Sequence, residues 1–203
     1  PNDRIGIVVY AGESFTQTPI TSDKTIVQNT IRKIQWGQIE DGTAIGMGLG
    51  SAVNRLKDSK AKSKVIILLT DGVNNRGAIA PLTAAEIART FGIRVYTIGG
   101  GTRGMAPAPV QTPYGPRLQQ VEVEIDEEGL QQIAASTDGR YFRAADSEKL
   151  SEIYDIIDKE ERTEVKVKEF FHFKELYPWF LVPAILIFLV ELLLKTWILR
   201  IIP

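Results

Sequence analysis

The sequence predicts an α/β fold with a mainly parallel sheet, followed by one apolar helix near its carboxyl terminus. Three observations carry this prediction. Short, nearly continuous apolar runs recur over the first 160 residues, as is typical of parallel strands covered on both faces. Stretches with helical periodicity separate these runs, and such alternation favours helices layered on a parallel sheet. A long apolar segment after residue 175 predicts the terminal helix.

The predicted elements can be justified in chain order. The apolar runs predict strands at residues 5–10, 65–70 and 93–98. The first helix follows Asp23, a suitable N-cap, and its apolar residues recur at helical spacing: Val27, Ile31 and Ile34. A second helix is predicted over residues 45–56 and a third over 81–91, with Pro81 at its start and Gly92 after its end. Apolar spacing around Leu130 and Ile153 predicts a fourth and a fifth helix.

Two segments depart from the alternation. Residues 99–125 are rich in Gly, Pro and polar residues and end in two-residue alternation, which predicts a long loop followed by an edge strand or hairpin. Within them, Gly99-x-Gly101-x-x-Gly104 matches the dinucleotide fingerprint, but the following Met-Ala-Pro-Ala-Pro cannot begin the helix that this site needs. Residues 158–173 alternate in charge without a helical stripe, which predicts a junction.

The terminal apolar segment is long enough to span a bilayer. Residues 176–194 contain a single charge, Glu191, and Trp179 and Trp197 lie where aromatic residues settle at membrane interfaces. A helix buried in or docked on the domain is the alternative. It is disfavoured because the segment is apolar on every face.

Composition excludes several classes of protein. With 24 basic and 25 acidic side chains the net charge is -1, so no overall basic field favours nucleic acid. The chain has no Cys, which excludes disulfide frameworks and thiolate sites. Its one His, His172, lies outside the α/β part, so that part has no Ser-His-Asp triad.

Thr43 and Asp71 are the candidate site residues. Asp71 directly follows the apolar run at 65–70, at the carboxyl end of a predicted strand where open α/β folds bind ligands. Thr43 precedes the second helix, where it is predicted to act as a hydroxyl N-cap. A hydroxyl and a carboxylate are ligands suited to Mg²⁺ or Mn²⁺. A turn Asp that caps the next segment is the alternative. Three glycines in the second helix, at 46, 48 and 50, predict close packing instead of a phosphate loop.

The segments DRIGIVVYAG, GTAIGMGL and KVIILLTDGVNN resemble motifs of the von Willebrand factor type A (VWA) domain. With the apolar helix and the tail LRIIP, the chain is similar to the membrane-anchored Bat family of aerotolerance proteins. The resemblance implies a Rossmann-like three-layer fold with a mainly parallel sheet. It also implies a partial VWA domain at 1–160, a juxtamembrane linker at 161–175, a transmembrane helix at 176–199 and a short tail at 200–203.

The resemblance further implies a metal-ion-dependent adhesion site with Thr43 as the hydroxyl ligand and Asp71 as the acidic ligand. The family's Asp-x-Ser-x-Ser sequence is absent from the chain and is expected upstream of Pro1, together with the first strand and helix. Without that first strand, the strands at 5–10 and 65–70 are expected to lose a neighbour or to close on each other. Binding of Mg²⁺ or Mn²⁺ by this chain is therefore expected to be weak or absent.

The implied function is a non-enzymatic interaction module that works with sister Bat-type proteins and a MoxR-type AAA ATPase. The expected location is the bacterial inner membrane with the VWA domain in the periplasm, although a count of basic residues around the span predicts a cytoplasmic domain. One alternative is a Mg²⁺-dependent phosphoryl-transfer enzyme with Asp71 as nucleophile, disfavoured because Val73 stands where a second acid is usual. Another is a scaffold with a degenerate metal site.

Overall fold

The computed structural model describes residues 3–35, 37, 39–101, 104–112, 115–123, 125–170 and 177–197. The strands in this part of the chain are β1 (Ile5–Tyr10), β2 (Ser14–Thr21), β3 (Val65–Thr70), β4 (Arg94–Gly100), β5 (Gly104–Thr112), β6 (Gly115–Val123) and β7 (Tyr141–Ala144). The helices are α1 (Lys24–Lys33), α2 (Ile45–Leu56), α3 (Pro81–Thr90), α4 (Glu127–Ser136), α5 (Ser147–Phe170) and α6 (Tyr177–Trp197). The chain divides into two compact units, Pro1–Glu161 and Arg162–Pro203.

A parallel sheet of order β3-β4-β7 forms the centre of the first unit and confirms the predicted class. Helices α2, α3 and α4 bury their apolar side chains on one face of this sheet, around Leu49 and Val95. Helix α5 covers the opposite face, where Ile153 packs with Tyr96 and Ile98. Neighbouring residues of β4 therefore enter opposite cores, which explains the continuous apolar run.

Strand β1 differs from the prediction that it lies in the parallel sheet. It pairs antiparallel with β2, a polar segment that the sequence pattern did not predict as a strand. In the described residues β1 and β3 belong to separate sheets, so the two strands do not close on each other. The Tyr10 hydroxyl connects them by donating a 2.7 Å hydrogen bond to the Leu69 carbonyl.

The predicted start of α1 is confirmed, but its apolar face is only partly buried. Asp23 caps the helix through its Oδ1 atom, which accepts hydrogen bonds from the backbone of Thr25 and Ile26 at 2.8 and 3.2 Å. Val27 is buried, whereas Ile31 is 55% exposed. The spacing predicted the helix without showing how much of it would be covered.

Two segments are more regular than predicted. The hairpin expected within 99–125 is confirmed as β5 and β6, but β5 already begins at Gly104, where a loop was predicted. Helix α5 continues to Phe170 through the charged residues that showed no helical stripe. Residues of opposite charge at helical spacing can support a helix that has no apolar stripe.

The apolar carboxyl-terminal segment forms α6, so the predicted helix is confirmed. Among the described residues, no helix reaches the combination of length and apolarity required for crossing a membrane. The transmembrane assignment of residues 176–199 is therefore not confirmed.

A partly buried carboxylate, that of Glu161, joins α5 to the parallel sheet. The Glu161 side chain accepts hydrogen bonds from Ser63 Oγ at 2.7 Å, Arg94 Nη1 at 2.6 Å and Tyr96 Oη at 2.8 Å. Burial opposes ionisation, but these three donors outweigh it and lower the pKa of Glu161 below its ordinary value. Burial, together with this carboxylate, raises the pKa of Tyr96.

Glycines of α2 permit close packing, as predicted. A Cβ atom at Gly48 would lie 2.7 Å from Cδ1 of Tyr10, and one at Gly46 would overlap the Ile79 carbonyl oxygen. Gly50 has more room, with the nearest atom, Ile79 Cδ1, at 3.6 Å. The first two glycines therefore allow a strand and a loop to approach the helix backbone.

Candidate functional site

The fold brings the two predicted site residues together at the carboxyl edge of the parallel sheet. Asp71 directly follows β3, and Thr43 lies two residues before α2. The Thr43 Oγ1 atom lies 3.4 Å from the position of a Cβ atom at Gly72, so the hydroxyl adjoins the turn that carries Asp71. Asp71 is exposed and Thr43 is partly buried. The structure thus places a hydroxyl and a carboxylate on adjoining loops.

Two asparagines connect these loops. The Asn75 Oδ1 atom accepts a 2.8 Å hydrogen bond from the Thr43 amide, and Asn74 Oδ1 accepts one of the same length from the Ile45 amide. The Thr43 carbonyl in turn accepts a hydrogen bond from the Asn75 amide at 3.0 Å. These bonds fix the start of α2 against the turn after β3.

The prediction that Thr43 is the N-cap of α2 is wrong. Ala44 occupies the cap and supplies no side-chain hydrogen bond. The Asn74 amide performs this task from a distant segment, because it satisfies a donor in the first turn of the helix. In the described residues the Thr43 hydroxyl has no hydrogen-bond partner, which leaves it available to a ligand.

The turn after β1 adjoins the Thr43 loop and the Asp71 turn. The Ala11 carbonyl accepts a 2.7 Å hydrogen bond from the Ala44 amide, and the Gly12 amide donates a 2.8 Å bond to Glu40. Gly42 has a φ of +138°, and a Cβ atom there would lie 2.5 Å from Cγ of Arg76. A residue other than glycine would be strained there and would displace the Arg76 side chain.

Tyr10 lies at the base of the site. Burial, which is the dominant effect, and the nearby negative charge of Asp71 raise its pKa to about 12, against a smaller lowering by the neighbouring Thr70 side chain. The tyrosine therefore remains neutral at physiological pH and keeps its hydroxyl proton for the bond to Leu69.

The donor set fits part of a divalent-cation site. In the described part of the chain, the Asp71 carboxylate has no hydrogen bond or ion pair, and hard oxygen atoms are the ligands of Mg²⁺ and Mn²⁺. No group of three or more acidic or His side chains suited to a metal occurs among the described residues. Thr43 and Asp71 would therefore have to be supplemented by water or by oxygen atoms from outside these residues.

Beside this site lies a cavity of about 360 Å³. The starts of α2, α3 and α4 line it, with Asn74 and Ile45 on the side of the site and Pro81, Asp126 and Leu130 on the other. The site therefore adjoins a concave, mainly apolar surface.

The role of Asn74 and Asn75 is not evident from the sequence pattern. Their position after Gly72 indicates a turn, but no spacing rule connects them to the start of a helix about thirty residues earlier. The exclusion of a nucleotide site is consistent with the structure, because the glycine pattern at 99–104 leads into strand β5 and not into a helix.

Comparison with known proteins identifies the domain. The family model of the von Willebrand factor type A domain matches residues 1–156. A solved structure described as conserved hypothetical protein BatB from Bacteroides thetaiotaomicron is 30% identical, with a TM-score of 0.66, and the match covers 80% of this chain and 81% of that one. An aerotolerance-related membrane protein from Bacteroides fragilis is also 30% identical, with a TM-score of 0.62 and coverage of 74% and 76%.

One similar structure bears on metal binding. Proximal thread matrix protein 1 from the mussel byssus, described as having a zinc-occupied MIDAS motif, is 26% identical with a TM-score of 0.57. That match covers 76% of this chain and 33% of the mussel protein.

Curated relatives extend beyond the matched region. An "Uncharacterized protein" of Borreliella burgdorferi is 29% identical over 93% of this chain and 56% of its own length. A "UPF0353 protein" of Nocardia farcinica is 28% identical over 77% of this chain and 50% of its own length. The chain thus spans about half the length of these relatives.

Proposed function

The chain belongs to the von Willebrand factor type A domain family, in its Bat-type branch, and from this we propose that it is a membrane-associated module that binds protein partners through a divalent cation. VWA domains are generally interaction modules, and the Bat-type relatives carry no enzyme names. We therefore propose a binding function without catalysis.

The contact between the Thr43 loop and the Asp71 turn is the observation that most supports this proposal. Asp71 supplies a carboxylate oxygen and a negative charge, and Thr43 supplies a hydroxyl oxygen. The two asparagine amides orient the loop and the turn before any ligand arrives. The zinc-occupied motif of the mussel protein lends support, because that protein shares the fold at 26% identity.

A cation held there would supply a Lewis-acidic position for an acidic oxygen atom of the partner. The cavity beside the site would accept apolar atoms next to that acidic group. This combination favours a partner surface with a carboxylate beside an apolar side chain.

The partners that we propose are sister Bat-type proteins and a MoxR-type AAA ATPase, in a complex for stress or oxygen tolerance. The similarity to BatB and to an aerotolerance-related membrane protein supports this choice. Mg²⁺ is the proposed ion, with Mn²⁺ as the alternative, and binding by the present residues is expected to be weak because they supply two oxygen ligands.

Metal binding can be measured directly on the full chain. We expect Mn²⁺ to bind with a dissociation constant on the order of 10⁻³ M, in the range of weak oxygen-ligand sites. Asp71→Asn and Thr43→Val should each weaken this binding about tenfold, because each removes one oxygen ligand or its charge. The loss of the free Mn²⁺ signal in electron paramagnetic resonance gives the bound fraction.

Asp58→Asn is the matched control, since Asp58 is an exposed aspartate after the far end of α2. Binding of a purified sister Bat-type protein should weaken about tenfold in EDTA and on Asp71→Asn, but not on Asp58→Asn. Equal Mn²⁺ binding by all variants would place the metal elsewhere, and partner binding that is indifferent to EDTA would contradict a metal-mediated contact.

We further propose that the carboxyl-terminal segment, residues 176–199, anchors the protein in the bacterial inner membrane, with the VWA domain in the periplasm. Large apolar side chains of α6 between residues 179 and 194 are 44–79% exposed, and the Bacteroides fragilis relative is described as a membrane protein. Their contact with lipid would remove this apolar area from water.

Protease treatment of spheroplasts tests the orientation. We expect the α/β unit to be digested in intact spheroplasts, while the protein remains in the membrane pellet after carbonate washing. A unit that resists protease until lysis would reverse the proposed orientation, and release by carbonate would contradict the anchor.

A further inference from the structure

Strands β5 and β6 form a two-stranded antiparallel ribbon of their own. Its register extends without a shift from Gly104 opposite Val123 to Thr112 opposite Gly115. Within the described residues, neither outer edge of this ribbon pairs with another strand. A two-stranded ribbon is only marginally stable in water and gains stability from added strands.

The proline positions show which backbone N–H groups of the ribbon face outward. Residue pairs of an antiparallel ribbon alternate between hydrogen-bonded and non-hydrogen-bonded pairs, and a hydrogen-bonded pair needs an N–H group from both members. Three pairs of equal phase contain a proline, which has no N–H group: Pro107 with Gln120, Pro109 with Leu118, and Gln111 with Pro116. These pairs are therefore the non-hydrogen-bonded ones, and the backbone N–H groups of their other members point away from the ribbon.

The two outer edges consequently differ. On β5 the outward positions are 105, 107, 109 and 111, and the two in the middle are prolines. On β6, Leu118, Gln120 and Glu122 all keep an outward N–H group, and only Pro116, at the tip, lacks one. Prolines block the pairing of an edge strand, so β5 is closed to a further strand and β6 is open to one.

We propose that the open edge of β6 is a self-association surface, on which a second copy of this chain pairs its own β6 antiparallel. The ribbon of each copy has one edge that prolines do not block, so the pairing of two ribbons closes into a four-stranded sheet of order β5-β6-β6-β5. The proline-blocked strands lie at both outer edges and stop further growth. An isologous two-fold dimer is the geometry that such a surface produces.

The positions of Pro116 and Glu122 select the register. With Gln120 opposite Gln120 of the second copy, Leu118 lies opposite Glu122, and all three outward N–H groups of each copy have a partner. A shift by one hydrogen-bonded pair toward the tip would require an N–H group from Pro116. A shift that faced Glu122 against Glu122 of the second copy would oppose like charges.

The absence of Cys from the chain allows a direct test on the full protein in detergent micelles. A single Gln120→Cys substitution can form a disulfide only with the same position of another copy. In the proposed register the two Cα atoms are about 5.5 Å apart, within disulfide range. We expect mild oxidation to cross-link this variant at least about tenfold faster than the matched Gln111→Cys variant, whose position lies on the blocked edge.

A second pair of variants tests the hydrogen bonds. Gln120→Pro removes an outward N–H group without removing a bond between β5 and β6, and Gln111→Pro does the same on the other edge. In sedimentation equilibrium, Gln120→Pro should raise the dimer dissociation constant at least about tenfold, because both copies carry the substitution and two hydrogen bonds are lost. Gln111→Pro should leave this constant unchanged. A monomeric parent chain, equal cross-linking at positions 111 and 120, or an unweakened Gln120→Pro dimer would each overturn the proposal.

Discussion

Gly46→Ala is expected to lower the free energy of unfolding by about 3 kcal/mol or more, whereas Gly50→Ala should raise it by about 0.5–1 kcal/mol. The two glycines lie one turn apart in α2 and receive the same substitution. A Cβ atom at Gly46 would overlap the backbone carbonyl of Ile79 and lie 2.9 Å from the carbonyl carbon of Ala80. Backbone atoms cannot avoid the added methyl group by a change of rotamer, so the loop before α3 would have to move away from α2.

At Gly50 the nearest atom to an added Cβ is Ile79 Cδ1, at 3.6 Å, which is ordinary van der Waals contact. Only the higher helix propensity of alanine then remains. Equilibrium urea unfolding followed by circular dichroism measures both variants. A change of the same sign in both would contradict the close approach between α2 and residues 79–80.

Glu161→Gln is expected to lower the free energy of unfolding by about 2–4 kcal/mol at neutral pH. The substitution removes the charge that three donors surround, and it places an amide N–H₂ group against at least one of them. Glu160→Gln is the matched control at the neighbouring position. Glu160 pairs with Arg140 at 2.6 Å, but both side chains are substantially exposed, so this variant should lose about 0.5 kcal/mol or less.

The effect of Glu161 should depend on pH with a defined sign. Because the fold lowers the pKa of this carboxyl, its contribution is present above the ordinary glutamate pKa of about 4.3 and is lost as the pH falls through the folded-state value. The difference between the parent chain and Glu161→Gln should therefore shrink in acid. A difference that is constant from pH 7 to pH 3 would mean that the carboxyl titrates alike in the folded and unfolded chain.

The periodicity of apolar residues correctly predicted the strands and helices whose apolar side chains lie in the core. The apolar run of β3 indicates a strand covered on both faces, and the apolar spacing around Leu130 indicates a helix with one buried face. In each case the apolar side chains have to be buried, so the pattern determines the element. Asp71 was found for the same reason, since the end of a buried strand fixes the edge of the sheet on which the next residue lies.

Other parts depend on partners that are distant in the chain. Strand β2 is polar and half-buried, so its pairing with β1 leaves little trace in its composition. Glu161 of α5 accepts hydrogen bonds from three donors on other segments, and the charge pattern around it does not indicate these contacts. Asn74 stabilises a helix start far away, and no local pattern contains that information.

The single hydroxyl bond from Tyr10 to β3 bears on the cooperativity of unfolding. In the described residues β1 has no backbone ladder to β3. The hairpin β1-β2 is held by the Tyr10 side chain, by the bond of Ala11 to Ala44, and by side-chain hydrogen bonds of Ser14 and Thr16 to helix α2. Opening of this hairpin leaves every hydrogen bond of the parallel sheet intact. The first unit thus contains a segment that is joined to the parallel sheet by side-chain and loop contacts and not by a backbone ladder, so the two can open as separate units.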